Sequence, residues 1–149
     1  MRGGGLVSGA CRAALILGVG LVVHAGYGLF LARDLSFTSN RGAFVGSAAF
    51  EVGGASFNPL GALVALGLGC LAIAGAVARR PSPLFIAAAG NAVLGVQVLL
   101  QYGRATNLLG SRGSNLSLAI LAAAGLVVLG LVLAEERRRG EPRAAGDSV

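Results

Sequence analysis

Four apolar stretches of 20 or 21 residues are separated by more polar connections along the chain. An α-helix needs about 20 mostly apolar residues to cross the hydrocarbon core of a bilayer. The stretches are continuously apolar and do not alternate, which favours helices over the strands of a membrane barrel. The pattern therefore predicts an all-α bundle of four transmembrane helices, at about 13–32, 58–78, 83–103 and 115–134.

The connections differ in length and character. Two arginines, a serine and two prolines at 79–83 indicate a tight turn, because neither proline can donate a backbone hydrogen bond. The longest loop is 33–57, and its stretch from Gly42 to Phe57 is Gly-rich and moderately apolar, so we expect that stretch to lie along the membrane interface. The predicted membrane domain covers residues 1–134, and the charged tail at 135–149 is expected to be disordered because it has few apolar residues to bury.

Composition agrees with a lipid environment. The 149 residues are 55% hydrophobic and 12% charged, whereas a soluble domain carries about 25% charged residues. The net charge is +6, but the arginines stand between apolar runs and form no continuous basic patch, so we expect no nucleic-acid partner. The lipid bilayer is the predicted partner of most of the chain.

The arginines are distributed unequally between the two sides of the predicted spans. Eight lie on the side of both termini and of the 79–83 turn, and four lie on the opposite side. Because arginine is enriched in cytoplasmic segments, we expect both termini in the cytoplasm and the protein in the plasma membrane. A cleaved signal peptide ending at Val23-His24-Ala25 is the alternative for the first run, but apolar sequence continues past that point.

Two polar residues lie near the centres of predicted spans, His24 in the first and Asn91 in the third. Hydrocarbon cannot solvate such groups, so they form a candidate intramembrane polar site. His24 is either a proton relay or ligand contact, or a neutral packing residue hydrogen-bonded across helices. Asn91 is expected to bond to His24 or to a neighbouring carbonyl. Cys70, the thiol at mid-span, is expected to be a small buried side chain.

A stripe of small residues follows the second span at four-residue spacing: Gly61, Ala65 and Gly69. Small residues at this spacing let two helix backbones approach closely. The stripe is therefore the predicted helix-packing face.

Three polar residues share one face near the outer end of the third span: Gln97, Gln101 and Arg104. They are candidates for the lining of an outer vestibule. The alternative is a polar cap at the membrane interface.

The sequence lacks the motifs of several enzyme and cofactor classes. It has no CxxC, GxSxG or P-loop pattern, and no carboxylate cluster accompanies its single histidine. One histidine alone cannot build a metal or haem site. We therefore predict no enzymatic activity, no cofactor and no bound metal.

The second and fourth spans open alike, at Ser56-Phe57-Asn58-Pro59-Leu60-Gly61 and at Gly113-Ser114-Asn115-Leu116. At these positions the chain resembles an uncharacterised family of small four-helix membrane proteins of high-GC bacteria, whose second and fourth spans also open with asparagines. That family carries histidines where this chain has Gly61, Ala65 and Leu118. The resemblance implies the four-span topology and no activity, since none is established for the family.

Two functional hypotheses follow. The first is a structural or accessory membrane protein that acts through helix packing, as a homo-oligomer or within a larger membrane complex. It rests on the stripe of small residues and on the missing catalytic motifs. The second is a small transporter or proton-linked permease, with His24 as the titrating group and Asn91 as its partner.

Overall fold

Four long helices form the protein. The computed structural model describes residues 4–47, 50–101 and 103–140, and within these ranges the side chains of residues 9–45, 55–101 and 103–139. The helices are α1 (Gly4–Leu31), α2 (Pro59–Val77), α3 (Pro81–Gln101) and α4 (Gly113–Gly140). Each contains a stretch that is long and apolar enough to cross a membrane, which confirms the predicted fold of four membrane-length helices.

Helices that are consecutive in the chain are neighbours in space, and α4 closes the bundle against α1. The most extensive contacts join α1 to α2 and α3 to α4, so the bundle consists of two helical pairs. Its two ends differ. We call the end with residues 32–58 and 103–112 the hairpin end, and the end with residues 78–80 the turn end.

The boundaries of α2 follow from local hydrogen bonding. Asn58 caps its start, because the side-chain oxygen accepts a hydrogen bond from Gly61 N at 2.8 Å, and proline occupies the first helical position. At its other end Arg79 adopts a left-handed backbone with φ of 52°. Arg79 N then donates to Ala76 O and Arg80 N donates to Gly75 O, which is the Schellman arrangement for terminating a helix. A tight turn is therefore present, but it is shorter than the predicted 79–83, because both prolines lie in the first turn of α3.

Helix α4 runs further than expected. Residues 135–140, which we predicted to belong to a disordered tail, continue the helix to Gly140. The Arg139 guanidinium contacts the Glu135 carboxylate at 2.8 Å across one helical turn, and three arginines in the last turn interact favourably with the helix dipole. The rest of the predicted tail, residues 141–149, lies outside the described residues.

The loop between α1 and α2 contains regular structure that the sequence analysis did not predict. Strands β1 (Ala43–Ser47) and β2 (Phe50–Phe57) pair antiparallel, with Ala43 opposite Phe57 and Val45 opposite Ala55. Val45, Ala55 and Phe57 are buried with Ala62 of α2, and residues of α1 and α4 also pack on this group. The hairpin is therefore part of the bundle.

The turn-end half of the bundle is packed by small and branched apolar side chains. They form one buried cluster: Ala14, Ala72, Ala76, Leu84, Ala87, Ala88, Leu126 and Leu133. Five of the eight are alanines, so the helices approach each other closely in this half.

The predicted packing stripe faces the interior of the bundle. A Cβ atom built on Gly69 would lie 3.0 Å from Val22 N and 3.2 Å from Gly18 O, so α1 and α2 approach each other there with their backbones. Gly61 lies against the carbonyl of Leu109 at the hairpin end. Ala65 packs on the buried group around Phe57. The stripe thus joins parts of the same chain.

Substituting Gly69 by valine tests this close approach. We expect Gly69→Val to lower the free energy of unfolding by about 1–3 kcal/mol, because the added atoms would push α1 away from α2. Gly67 is the matched control: it is two residues away on the same helix, and a Cβ atom there would meet nothing within 4 Å. Gly67→Val should change the free energy of unfolding by no more than about 0.5 kcal/mol. Unfolding in mixed detergent micelles, followed by circular dichroism, measures both; equal effects would contradict the packing described.

Candidate functional site

Three buried asparagines hold the hairpin end together. Asn58 makes three side-chain hydrogen bonds: its oxygen accepts from Gly61 N, and its Nδ2 donates to the carbonyls of Ser39 and Leu108, each at 2.7 Å. The residue is fully buried. One side chain therefore connects the start of α2 to the segment before β1 and to the α3–α4 connection.

Asn115, in the first turn of α4, binds strand β2. Its oxygen accepts a hydrogen bond from Ser56 N and its Nδ2 donates to Ser56 O, both at 2.9 Å, in the manner of a neighbouring strand. The same oxygen accepts from Arg112 N at 2.9 Å. Asn107 similarly closes the α3–α4 connection through the backbone and hydroxyl of Ser111. Backbone groups that lie outside helices are thus hydrogen-bonded without water.

A cavity lies beneath this network. Its polar lining consists of His24, Asn91, Gln97, Ser111 and Asn115, and apolar residues from all four helices and β2 complete it. Its water-accessible volume is about 40 Å³. We call it the hairpin-end cavity. Since one water needs about 10–15 Å³ by this measure, the cavity has room for about three water molecules.

His24 lies on the α1 wall of the cavity. Its Nε2 atom is buried and has no hydrogen-bond partner among the described residues. The imidazole ring instead packs edge-on against Phe57 of β2, with ring centroids 5.6 Å apart and an angle of 74° between the planes. An unpartnered buried nitrogen is costly at membrane depth, so a water or ligand in the cavity is the available partner.

Asn91 faces the same cavity but does not bond to His24. Its Nδ2 donates to the carbonyl of Ala87, one turn earlier on α3, at 2.8 Å. The acceptor is therefore a carbonyl of the same helix, and Asn91 does not join α3 to another helix through this bond. The two residues line one cavity, in agreement with their positions near the centres of the first and third predicted spans.

The three vestibule candidates separate in the structure. Gln97 lines the cavity, donates from Nε2 to Gln101 Oε1 at 2.7 Å, and keeps a buried Oε1 without a partner among the described residues. Gln101 Oε1 also accepts from Leu108 N at 3.1 Å and so fastens the α3–α4 connection. Arg104 is exposed and does not line the cavity.

The expectation that Cys70 is buried is wrong. Instead of being buried, it is exposed on the outer surface of α2, and Cys11 is half-buried. Both thiols are free. Within the described ranges no group of three or more His, Cys, Asp or Glu side chains could hold a metal ion.

Comparison of the chain with protein-family models, curated proteins and solved structures finds no match. The resemblance drawn from Asn58 and Asn115 therefore stays a prediction. The structure gives these two residues different tasks, since Asn58 caps its own helix and Asn115 binds strand β2. The Asn-Pro pair at 58–59 is a helix-start signal from which the capping role of Asn58 could have been found; the partners of Asn115 and Asn107 have no such signal.

Removing the Asn58 side chain tests the hairpin-end network. We expect Asn58→Ala to lower the free energy of unfolding by about 2–4 kcal/mol, because the change removes a helix cap and leaves two carbonyls without donors. Asn40 is the control, since it follows Ser39, to which Asn58 bonds, and is itself exposed. Thermal unfolding in a mild detergent compares both variants with the wild type. An Asn58→Ala protein as stable as Asn40→Ala would show that the network contributes little.

Proposed function

We propose that the chain is a multi-pass protein of the bacterial plasma membrane with both termini in the cytoplasm. Arginine is enriched beside the cytoplasmic ends of membrane helices. Six of the described arginines lie at the turn end: Arg12, Arg79, Arg80, Arg137, Arg138 and Arg139. Four lie at the hairpin end: Arg33, Arg41, Arg104 and Arg112. This asymmetry supports a cytoplasmic turn end and an external hairpin end.

Within this topology, the hairpin-end cavity supports a role as a small transporter or proton-linked permease. The observation that carries the proposal is the buried Nε2 of His24, which has no hydrogen-bond partner among the described residues and whose side chain lines a cavity with Asn91 and Gln97. A histidine that served only to join helices would use its nitrogens to bond across them. His24 is the titratable side chain of the cavity lining, and water in the cavity could carry its proton.

The dimensions of the cavity restrict what could pass. Sites for drug-sized organic molecules are about 300–1,000 Å³, so a cavity with room for about three waters suits a proton or a very small uncharged solute. The buried apolar cluster of the turn-end half separates this cavity from the other end. Passage would require the α1–α2 pair to move against the α3–α4 pair. The contacts between the two pairs are less extensive than the contacts within each pair.

A second candidate function is an accessory role through helix packing with another copy of the chain or with a larger complex. The stripe that first suggested it is occupied within the bundle, but α2 carries another on its outer surface. Five exposed residues follow one another there at alternating spacings of four and three: Leu63, Gly67, Cys70, Ala74 and Val77. Small residues in the centre of such a row suit a second helix. The proposal includes no enzymatic activity, since the sequence lacks catalytic motifs.

Proton flux tests the role of His24. We expect wild-type protein in liposomes containing a pH-sensitive dye to dissipate an imposed pH gradient, and His24→Leu to reduce this flux to the level of protein-free liposomes. Val23→Leu is the control, because Val23 is adjacent but exposed on the outer surface of α1. A wild-type protein without flux, or a His24→Leu protein that retains it, would contradict the permease role.

Cross-linking through Cys70 tests the accessory role. In a Cys11→Ser background, mild oxidation of membranes should produce a covalent dimer if the outer row of α2 meets the same row of another copy. Gly67→Leu should suppress this dimer, because the larger side chain would keep the two helices apart. A protein that gives no dimer and has a monomeric mass in detergent would argue against self-association on this surface.

A further inference from the structure

A groove opens between α1 and α2 at the turn end, remote from the hairpin-end cavity. It is lined by Cys11, Arg12, Leu15, Ala76, Val77 and Arg79, and its water-accessible volume is about 320 Å³. Leu15 and Val77 are exposed, and Val77 has 72% of its surface accessible. The groove therefore combines an apolar wall with two guanidinium groups at the membrane end of the helices.

The two arginines of this groove have no carboxylate partner in the described part of the chain. The ion pairs found there are Arg33 with Asp34 and Arg139 with Glu135. No acidic residue lines the groove. A neighbouring groove shares Arg79 but also contains Glu136, whose carboxylate would repel an anion. The α1–α2 groove thus carries positive charge that no lining carboxylate compensates.

The backbone of Arg79 is a second, independent observation. This residue stands at the helix-terminating position with φ of 52°, where glycine is usual because it has no Cβ atom to clash. A side chain other than glycine is strained in this conformation. Backbone strain at a residue is a reason to look for a function of its side chain.

We propose that the α1–α2 groove binds one anionic phospholipid, with the phosphate between Arg12 and Arg79 and an acyl chain along Leu15 and Val77. Arginine suits this task because its planar guanidinium group forms paired hydrogen bonds to phosphate oxygens. The apolar wall selects a lipid over a soluble phosphate. The positive charge selects a lipid with a net negative headgroup over a zwitterionic one, whose ammonium group would meet two arginines.

Native mass spectrometry of the full-length protein in a mild detergent tests the proposal, with phosphatidylglycerol, phosphatidylcholine and inorganic phosphate titrated separately. Phosphatidylglycerol should bind more tightly than phosphatidylcholine, and inorganic phosphate should not compete for the site. Arg12→Ala and Arg79→Gly should each weaken phosphatidylglycerol binding by about fivefold or more, which corresponds to one arginine–lipid contact.

Two controls separate lipid recognition from damage to the fold. Arg138→Ala removes an exposed arginine at the same end that lines neither groove, so it should leave phosphatidylglycerol binding nearly unchanged. Arg79→Gly should melt at the same temperature as the wild type or higher, because glycine relieves the left-handed backbone. Equal losses for Arg138→Ala and Arg12→Ala, equal binding of both lipids, or a lower melting temperature for Arg79→Gly would overturn the proposal.

Discussion

Backbone N–H and C=O groups outside helices must still have hydrogen-bond partners near a membrane. This constraint determines how the hairpin end is built. Within hydrocarbon an unpaired N–H or C=O is too costly to retain, so irregular backbone is tolerated only where protein satisfies it. Asn58, Asn107 and Asn115 provide these partners through side-chain hydrogen bonds to the backbones of six other residues. Three amide side chains thus let two strands and a connecting loop close one end of an otherwise helical bundle.

The two halves of the bundle differ in how they are packed and in the side chains they bury. At the turn end, alanines bring the helices together around a buried apolar cluster, which gives stability and a seal. At the hairpin end, β2 and the α3–α4 connection cover a small cavity with an imidazole and amides in its walls. Phe57 of β2 packs on the His24 ring and helps to keep its Nε2 atom buried.

The sequence predicted the number of spans because apolar length is a direct consequence of bilayer thickness. The placement of His24 and Asn91 beside one cavity followed from their similar depth in the spans. Which face of α2 meets lipid could not be predicted, since an all-apolar helix has no polar face to orient it, and Cys70 was misplaced for this reason. The hairpin was not predicted, and the hydrogen bonds that join its second strand to α4 link Ser56 to Asn115, 59 residues apart, which no local pattern indicates. The extension of α4 to Gly140 was missed because charged composition was taken for disorder.

Amide hydrogen exchange of the protein in lipid nanodiscs tests the central claim most directly, since it reports whether the N–H groups assigned to the asparagine side chains are hydrogen-bonded. The amides of Ser56, Gly61 and Arg112 each donate to an asparagine side chain. The account predicts that Ser56 and Gly61 exchange about as slowly as amides in the middle of α3, and that Asn115→Ala accelerates exchange at Ser56 but leaves α3 unchanged. Rapid exchange at Ser56 in the wild type would contradict it, because the hairpin would then not be held by the buried asparagines.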